Sequence, residues 1–497
     1  MELSFFYFGH LIIQLTLFFN KYQNEYAKRR KMDGIAMRIF LLPKAVLFCY
    51  NICGAVLETA QYGKGNDIIM LKSDQKYTSY IEVLKSELVP AAGCTEPIAI
   101  AFAAAKAHSV LGKLPEKVVI YVSGNIIKNV KSVVVPNTGG LRGIEAAAAA
   151  GIAAGDASKV LEVIADVDEN GKQRILDFLE LHNIIVRPAD NDLVFDIDLT
   201  VFAGSDSVRI RIIDYHTNIV LIEKNGEVVY APESVTFEKS ENALVTEKDA
   251  MTIAEIVDFA DTVDLSDIGD TIRRQIQYNS AISAAGLAHD YGANVGRILL
   301  KTYGNDVKIR AMAAPAAGSD ARMSGCELPV IIVSGSGNQG MTASLPVVEY
   351  AKEYNKTEEE LIRAVILSDL ITIHQKSKIG RLSAFCGAIS AGCGAAAGIA
   401  YLLGGDYDTI AHTLVNSLAI VSGIVCDGAK ASCAGKIAAA VNAGILGYNM
   451  YLNGSQFWAG DGIVSKGVEN TIRNVGRLGR DGMRETDREI LKIMTEE

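Results

Sequence analysis

Three cysteines in the last third of the chain, Cys386, Cys426 and Cys433, are the residues whose type and spacing point most clearly to chemistry. An iron–sulfur cluster of the 4Fe–4S type is usually held by four cysteine thiolates, one at each iron. Three ligands would leave one iron open to act on a substrate as a Lewis acid. A fourth thiol, Cys94, lies far upstream in the run Gly-Cys-Thr-Glu-Pro at 93–97. This combination suggests a lyase.

The spacing of these cysteines sets a condition on the local fold. Cys426 and Cys433 are seven residues apart, and on one continuous helix they would be separated by ~10.5 Å along the axis. The Asp-Gly pair that follows Cys426 predicts a turn instead. Cys393 is a further candidate ligand, seven residues after Cys386. Two other interpretations stay open, because the set has no CxxC pattern: buried cysteines that only fill space, and a structural Zn²⁺ site.

A glycine-rich loop follows a predicted strand at 329–334 and precedes a helix predicted to begin at Met341. Its residues are Ser334, Gly335, Ser336, Gly337, Asn338, Gln339 and Gly340. The pattern G-x-G-x-x-G marks a dinucleotide site only within a βαβ unit. Here Pro346 is predicted to interrupt the helix, and a second helix at 357–373 takes the place of a returning strand. We therefore expect the loop to bind an anion such as a substrate carboxylate through its main-chain N–H groups, and not NAD.

Further polar residues flank this loop in the sequence. Arg322, in the polar run at 318–325, could clamp a carboxylate with two hydrogen bonds. A structural ion pair with Asp320 is the alternative. The segment 125–140 is polar and predicted to be rich in turns, and it supplies three candidate pocket residues, Lys128, Asn129 and Thr138.

Composition excludes some classes of function. The chain has 497 residues, a formal net charge of −10 and a pI near 5.4, and this gives no support for nucleic-acid binding, which needs a basic face. Its eight cysteines are too sparse for the disulfide framework of a small secreted protein. We therefore expect the reducing cytoplasm as the location.

Residues 1–69 contain two largely apolar stretches, at 3–19 and 37–57. The first is short for a membrane span of ~20 residues and the second carries charge, so we do not expect the protein to be a membrane protein. A membrane anchor and a packed helical extension are two interpretations of this region. We favour a third, in which translation was assigned from too early a start and Met70 opens the working protein.

The periodicity of the remaining sequence predicts an α+β fold. Predicted elements are an amphipathic helix at 72–88, small-residue helices at 98–111 and 142–154, a strand at 117–123, and four strands within 193–230 with a hairpin at Asn225-Gly226. From Thr246 onward nearly all of the chain is predicted to be helical. This gives a mixed α/β domain with a small antiparallel sheet at 70–245 and a mostly helical domain at 246–497 that carries the cysteines.

Taken in order, these motifs resemble the L-cysteine desulfidase group, which is related to the alpha part of iron–sulfur-dependent L-serine dehydratases. The matching segments, all within 75–490, are GCTEP at 93–97, SGNIIKN at 123–129, SDARMSG at 319–325, SGSGNQG at 334–340 and the set Cys386, Cys426 and Cys433. In the dehydratases one cysteine lies in a Cys-Asp-Pro run. Here Gly428 stands in the place of that proline and the third cysteine comes sooner, which fits the desulfidase branch better.

The resemblance implies a 4Fe–4S cluster on the three cysteines and cleavage of L-cysteine to pyruvate, ammonia and sulfide without pyridoxal phosphate. Cys94 is the expected base, acting as a thiolate of lowered pKa. The loop at 334–340 and Arg322 are expected to hold the substrate carboxylate. The expected partner is a small amino acid, and a homo-oligomer is left open. Alternatives are an L-serine dehydratase and a non-catalytic iron–sulfur or metal-binding sensor in which Cys94 is a fourth ligand.

Overall fold

The structure, a computed structural model, describes residues 70–191, 193–232, 248–380 and 382–495. The apolar stretches of 1–69, and the N-terminal extension predicted there, lie outside the described residues. Among the helices of the described part, none combines the length and the apolar character needed to cross a membrane.

Helices make up most of the described chain. The N-terminal part holds α1 (Gln75–Glu87), α2 (Thr95–Leu111), α3 (Gly124–Val130), α4 (Gly143–Ala154) and α5 (Glu169–Leu181). The C-terminal part holds α6 (Ile253–Thr262), α7 (Leu265–Ala288), α8 (Val295–Tyr303), α9 (Val307–Met323), α10 (Gly337–Glu353), α11 (Glu358–Ile379), α12 (Gly387–Leu402), α13 (Tyr407–Val421), α14 (Ser432–Leu452), α15 (Val468–Arg477) and α16 (Arg484–Thr495).

The strands form two sheets. They are β1 (Pro90–Ala92), β2 (Lys117–Val122), β3 (Asn183–Pro188), β4 (Asp196–Ala203), β5 (Asp206–Ile213), β6 (Ile219–Lys224), β7 (Glu227–Tyr230) and β8 (Pro329–Ile331). The larger sheet has the order β3-β2-β4-β5-β6-β7. Its strands pair antiparallel except for β2 and β3, which are parallel. The predicted hairpin at Asn225-Gly226 is confirmed, since both residues have positive φ angles of 54° and 83°.

Two large hydrophobic cores organise the described part of the chain. One lies between the larger sheet and the alanine-rich helices α2 and α4, and the other lies among the C-terminal helices. Small residues let these helices approach closely: a Cβ atom on Gly151 of α4 would lie only 2.1 Å from the Ala101 carbonyl oxygen of α2. This architecture confirms the predicted α+β fold, with its small sheet and its helical C-terminal part.

Two short pairings bring distant segments together. β1 pairs antiparallel with β8, which ties the chain just before Cys94 to the chain just before the glycine-rich loop. An isolated bridge joins Phe385 to Val425, the residues that precede Cys386 and Cys426. Each pairing therefore places motifs that are distant in the sequence next to one another.

Three local predictions are wrong. The segment predicted as turns at 125–140 begins with α3, whose apolar residues Ile126 and Val130 are buried against the first core. The strand predicted over 329–334 is limited to β8. Pro346 lies inside α10, which begins at Gly337 and continues to Glu353. Proline removes one main-chain hydrogen bond from a helix, and here the packing of α10 against α9 and α12 maintains the helix around it.

Candidate functional site

Four helices begin at the wall of one cavity of about 110 Å³. Cys94 is the N-cap of α2, Ser336 the N-cap of α10 and Cys386 the N-cap of α12, while Cys433 is the second residue of α14. None of these four N-termini is capped by a side-chain hydrogen bond. A helix N-terminus presents unpaired N–H groups and a positive partial charge. The cavity therefore suits anionic groups, such as thiolates and a carboxylate.

The three predicted ligand cysteines all line this cavity. The main-chain N–H of Cys386 donates to Ile424 at 3.2 Å, and that of Cys426 donates to Ala384 at 2.6 Å, so the two residues lie side by side. Cys433 follows the predicted turn, which is confirmed, and its sulfur lies 3.6 Å from the Gly428 carbonyl oxygen. The chain from Cys426 to Cys433 is therefore not one continuous helix, so the two cysteines are not held ~10.5 Å apart along a helix axis.

The electrostatics of these cysteines favour at least one thiolate. A hydrogen bond from Cys386 to Cys426 holds the pKa of Cys426 below its usual range and raises that of Cys386. Lys128 and Lys376 add positive charge that also lowers the pKa of Cys426. Cys393 is different: it is fully buried outside the cavity, and burial raises its pKa to about 12. The structure therefore does not place Cys393 with the other candidate ligands.

The donor set has the chemistry that an iron–sulfur cluster needs. A 4Fe–4S cluster binds each cysteine thiolate at a separate iron. Cys386, Cys426 and Cys433 line one cavity, and the helix N-termini at Cys386 and Cys433 carry a positive partial charge that suits anionic ligands. Within the described ranges, no group of three His, Cys, Asp or Glu side chains is arranged to hold a single metal ion.

Gly428 explains why the chain between Cys426 and Cys433 can take this path. Its φ angle is +97°, and a Cβ atom here would lie 2.2 Å from the Lys128 carbonyl oxygen of α3. Only glycine satisfies both conditions. The neighbouring Asp427 forms ion pairs with Lys430 at 3.5 Å and with Lys436 of α14. The turn is thereby fixed to α14 and lies closely against α3.

Cys94 lies in the same cavity and is hydrogen-bonded to a carboxylate. Its Sγ is 3.1 Å from Oε2 of Glu96, and the amide of Asn129 donates to Oε1 of Glu96 at 3.0 Å. Burial, and then the charge of Glu96, raise the pKa of Cys94 well above its usual value, while the Arg322 guanidinium opposes this rise. The protein neighbours of Cys94 therefore do not by themselves lower its pKa, and the lowering expected near a cluster iron stays a prediction.

Arg322 and the glycine-rich loop form one wall of the cavity. Nη1 of Arg322 donates to Oδ1 of Asn338 at 3.2 Å, and its buried Nε has no hydrogen-bond partner. A Cβ atom on Gly337 would lie 2.6 Å from that Nε, so glycine lets the guanidinium reach the start of α10. In the described residues Arg322 forms no ion pair with Asp320, which instead accepts a hydrogen bond from the N–H of Gly296 at 3.3 Å.

Most of the predicted pocket residues meet here. The cavity is lined by Ser334, Gly335, Ser336, Asn338, Gln339, Lys128 and Asn129. Gly337 lies just behind this lining, against Arg322. Thr138 does not line the cavity: it is buried, and its hydroxyl donates to the Val135 carbonyl at 2.7 Å.

Several lining residues were missed from the sequence. Glu96 and Lys376 stand beside motifs already identified, so their proximity to those motifs was a usable signal. Phe195 and His216 come from the small sheet, where His216 lies in the turn between β5 and β6 and its ring packs edge-on against Phe195, with centroids 4.9 Å apart. No local pattern marks these two residues, because only the fold brings the sheet to the helices.

A larger cavity of about 510 Å³ adjoins the first and shares Phe195, Leu382 and Ser383 with it. Its lining also includes Arg480 and Arg484. The two cavities are therefore neighbours that share part of their walls.

Comparison with known proteins gives the family. Residues 144–492 match the family model of the serine dehydratase alpha chain. A UPF0597 protein of Desulfitobacterium hafniense is 62% identical over 427 residues, which is 86% of this chain and 99% of the relative. UPF0597 proteins of Lachnoclostridium phytofermentans and Treponema denticola are 50% and 45% identical, each over 84% of this chain and over 99% and 98% of the relative. The chain therefore belongs to the serine dehydratase alpha chain family and to the UPF0597 proteins, which indicates a lyase of the serine dehydratase type.

Proposed function

We propose that this protein is an iron–sulfur-dependent lyase that cleaves L-cysteine to pyruvate, ammonia and sulfide by β-elimination. The observation that carries the proposal is the convergence of Cys94, Arg322 and the three cysteines Cys386, Cys426 and Cys433 on one cavity. The family supports the class of reaction. We also propose the cytoplasm as its location, where the free thiols at all six cysteines of the described residues would be maintained.

Cys386, Cys426 and Cys433 are the residues that would hold a 4Fe–4S cluster. When bound, such a cluster would supply an iron without a protein ligand, which acts as a Lewis acid toward the leaving group. Cys386 and Cys433 stand at the N-terminal ends of α12 and α14. The pKa of Cys386 is nevertheless raised by its hydrogen bond with Cys426 and by burial, and that of Cys433 by burial, so the cluster itself would supply the positive charge that holds both as thiolates.

The substrate carboxylate would bind between Arg322 and the start of α10. The buried Nε of Arg322 lacks a partner, and the first N–H groups of α10 have no side-chain cap. Both observations identify donors that an anion would satisfy. A carboxylate here directs the rest of a small amino acid into the cavity, toward Cys94 and the three cysteines.

Cys94 would remove the α-proton as its own thiol proton passes to a neighbouring acceptor. Elimination breaks the Cα–H and Cβ–S bonds and forms a Cα–Cβ double bond, with the proton going to Sγ of Cys94 and the sulfur leaving as HS⁻. The product is an enamine that tautomerises and hydrolyses in water, so the cavity needs no further group for those steps. Because Cys94 is only 2% exposed, competing protonation from bulk water is limited.

L-Serine is the second candidate substrate, and the match to the serine dehydratase alpha chain over 144–492 favours it. The two reactions differ in the leaving group. HS⁻ is a much weaker base than HO⁻, so cysteine needs less proton donation to the departing atom. The Gly428 turn, which replaces the proline of the dehydratase pattern, supports cysteine as the main substrate.

The test is anaerobic purification with iron–sulfur reconstitution, followed by assays for sulfide and pyruvate from L-cysteine and for pyruvate from L-serine. We expect brown protein that releases sulfide, with a higher kcat/KM for cysteine. A higher kcat/KM for serine would make the protein a serine dehydratase. Brown protein that is inert toward both would support the sensor interpretation, and colourless protein would remove the cluster from the proposal.

A further inference from the structure

The carboxylate of Glu96 is the nearest proton acceptor to Cys94. We propose that Glu96 takes the thiol proton of Cys94 at the moment when Cys94 takes the α-proton of the substrate. Glu96 is then the positioning and proton-accepting partner of the base. This inference rests on the proposed function and adds to it a residue that the sequence motifs alone did not single out.

The geometry of Glu96 supports a direct transfer. Its Oε2 lies 3.1 Å from Sγ of Cys94, which is within hydrogen-bond distance for sulfur. Its Oε1 accepts a hydrogen bond from Asn129 at 3.0 Å, so the carboxylate is held in one orientation. Glu96 is only 7% exposed, and it lines the cavity together with Cys94. A buried carboxylate in contact with a thiol is costly for folding, because burial disfavours its charged form.

The Thr95 hydroxyl can form a hydrogen bond with Glu96 whether or not the Glu96 carboxyl group carries a proton. Its hydroxyl lies 3.1 Å from Oε2 of Glu96 and 2.9 Å from the Gly335 carbonyl oxygen. A hydroxyl has one proton to donate and can also accept. When Glu96 is charged, Thr95 can donate to it. When Glu96 is protonated, Glu96 can donate to Thr95, and the Thr95 hydroxyl then donates to Gly335. The Thr95 hydroxyl can therefore form a hydrogen bond with Glu96 in both of its protonation states.

The surroundings of Cys94 and Glu96 favour the state from which the proton transfer starts, a Cys94 thiol beside a Glu96 carboxylate. Burial by itself raises the pKa of Glu96, but the charge of His216 and the hydrogen bond from Cys94 outweigh burial and hold that pKa below its usual value. Glu96 therefore begins as a carboxylate. Burial and the Glu96 charge raise the pKa of Cys94, so at neutral pH Cys94 begins as a thiol. A thiol can act as a base only if another group accepts its proton.

The substrate Cα–H bond breaks and its proton forms a new S–H bond on Cys94, while the original S–H bond breaks and its proton goes to Oε2 of Glu96. The electron pair of the Cα–H bond forms the double bond, and the leaving group departs with the Cβ–S electron pair. Glu96 returns its proton to water when the products leave, which restores the carboxylate for the next turnover.

The alternative is that Glu96 only stabilises the N-terminus of α2, as acidic residues in a first helical turn commonly do. Glu145 offers a matched control, because it lies in the first turn of α4 and is exposed to solvent. A purely helix-stabilising role would make Glu96→Gln and Glu145→Gln alike in their effect on kcat.

The experiment compares the reconstituted full-length protein with Glu96→Gln, Glu96→Asp and Glu145→Gln. Readouts are iron content, kcat and KM for L-cysteine and L-serine, and the rate at which iodoacetamide alkylates Cys94 at pH 8 in cluster-free protein, followed by mass spectrometry. We expect Glu96→Gln to keep its iron and KM but to lose ~10²-fold in kcat, as loss of a proton acceptor does. Alkylation of Cys94 should become faster, since the neutral amide no longer opposes the thiolate. Glu96→Asp should recover part of kcat, and Glu145→Gln should match the wild type.

In Glu96→Gln, a fall in kcat together with faster alkylation of Cys94 is expected only if Glu96 accepts the proton. If Glu96 merely raised the pKa of the thiol, Glu96→Gln would alkylate faster and also turn over faster, which would overturn the inference. A kcat within threefold of the wild type would overturn it as well, and so would a loss of kcat that accompanies a loss of iron. A wild-type protein that is inert toward both substrates would instead refute the proposed function, and this inference with it.

Discussion

The ammonium group of Lys128 forms an ion pair with the carboxylate of Asp487, although the Lys128 side chain is only 2% exposed. This pair joins α3, at the wall of the smaller cavity, to α16 at the wall of the larger one. Two further contacts support the same junction: Lys131 donates to the main chain at Met494, and Leu491 packs against Gly124. Helix α16 is therefore held against α3, the helix that supplies Lys128 and Asn129.

We expect Asp487→Asn to lower the free energy of unfolding by ~1–3 kcal/mol, because it leaves the Lys128 charge buried without its charged partner. The measurement is chemical denaturation of the full chain. Glu489→Gln is the control, since Glu489 pairs with Lys492 on the same helix with both side chains more than 60% exposed. Equal shifts for the two variants would contradict the structural importance of the Lys128–Asp487 pair.

Replacement of any one ligand cysteine should remove the cluster. We expect Cys386→Ala, Cys426→Ala and Cys433→Ala each to lose iron and visible absorbance after anaerobic reconstitution, because each thiolate holds a separate iron. Cys393→Ala is the matched control, since this cysteine lies on α12 but outside the cavity. Iron and acid-labile sulfide per chain decide the result. Loss of iron in Cys393→Ala with retention in Cys426→Ala would refute the ligand assignment.

Cys94→Ala should separate catalysis from cluster binding. We expect this variant to retain iron and absorbance while kcat falls by ~10²-fold or more, because the base is lost. Cys326→Ala, which changes another buried free thiol outside the cavity, should keep wild-type turnover. If Cys94 is instead a fourth ligand, as the sensor interpretation requires, its replacement will lower the iron content.

Arg322→Lys should weaken substrate binding more than it slows the reaction. Lysine cannot offer the planar pair of donors that a carboxylate accepts from arginine, so we expect KM for the amino acid to rise by ~10-fold or more. We expect kcat to change by less than threefold. Arg310→Lys is the control on the same helix, since Arg310 pairs with Glu349 and Glu353 outside the cavity. Similar KM changes in the two variants would count against carboxylate binding at Arg322.

Asp369 makes stability depend on pH. It is fully buried on α11, accepts a hydrogen bond from Gln275 at 3.0 Å, and its Oδ2 has no partner. Burial raises its pKa to about 8, above its value of ~4 in an unfolded chain. Between those two pH values the folded state holds a proton that the unfolded state has lost. Stability is therefore full below pH ~4 and falls by ~1.4 kcal/mol per unit as the pH rises toward 8.

Asp369→Asn should remove this loss, because an amide does not titrate. We expect its thermal midpoint to exceed that of the wild type at pH 8, with the difference shrinking as the pH approaches 4. Asp270→Asn is the control, since the Asp270 side chain is almost fully exposed at 99%. Parallel pH profiles for the wild type and Asp369→Asn would show that Asp369 does not bind the proton.

The candidate site was largely predictable because its residues lie in short motifs with a local rationale. The turn after Cys426 was indicated by the Asp-Gly pair, and the anion site proposed at the start of α10 by a glycine-rich run before a helix. Helices of small residues and alternating strands were equally visible, since their periodicities are local properties. The α+β fold followed from these patterns.

The features of the fold and of the site that could not be predicted depend on contacts between distant segments. β3 joins the sheet by parallel pairing with β2, and no pattern in 183–188 specifies that partner. His216 reaches the cavity only because the turn after β5 faces the helices. Pro346 fits within α10 because tertiary packing outweighs the local cost of proline. The pKa of Cys94 could not be inferred without knowing that Glu96 is buried beside it.

The residues that line the smaller cavity come from segments spread over most of the chain, which affects how the protein is made. The helix N-termini in this wall belong to segments that begin at Cys94, Gly337, Gly387 and Ser432. Asp487, close to the C-terminus, pairs with Lys128, which lines the same cavity. A ribosome must therefore complete almost the whole chain before the pocket exists. Delivery of the proposed cluster would therefore be a late, post-translational event, and we expect chains truncated before α14 to retain no iron.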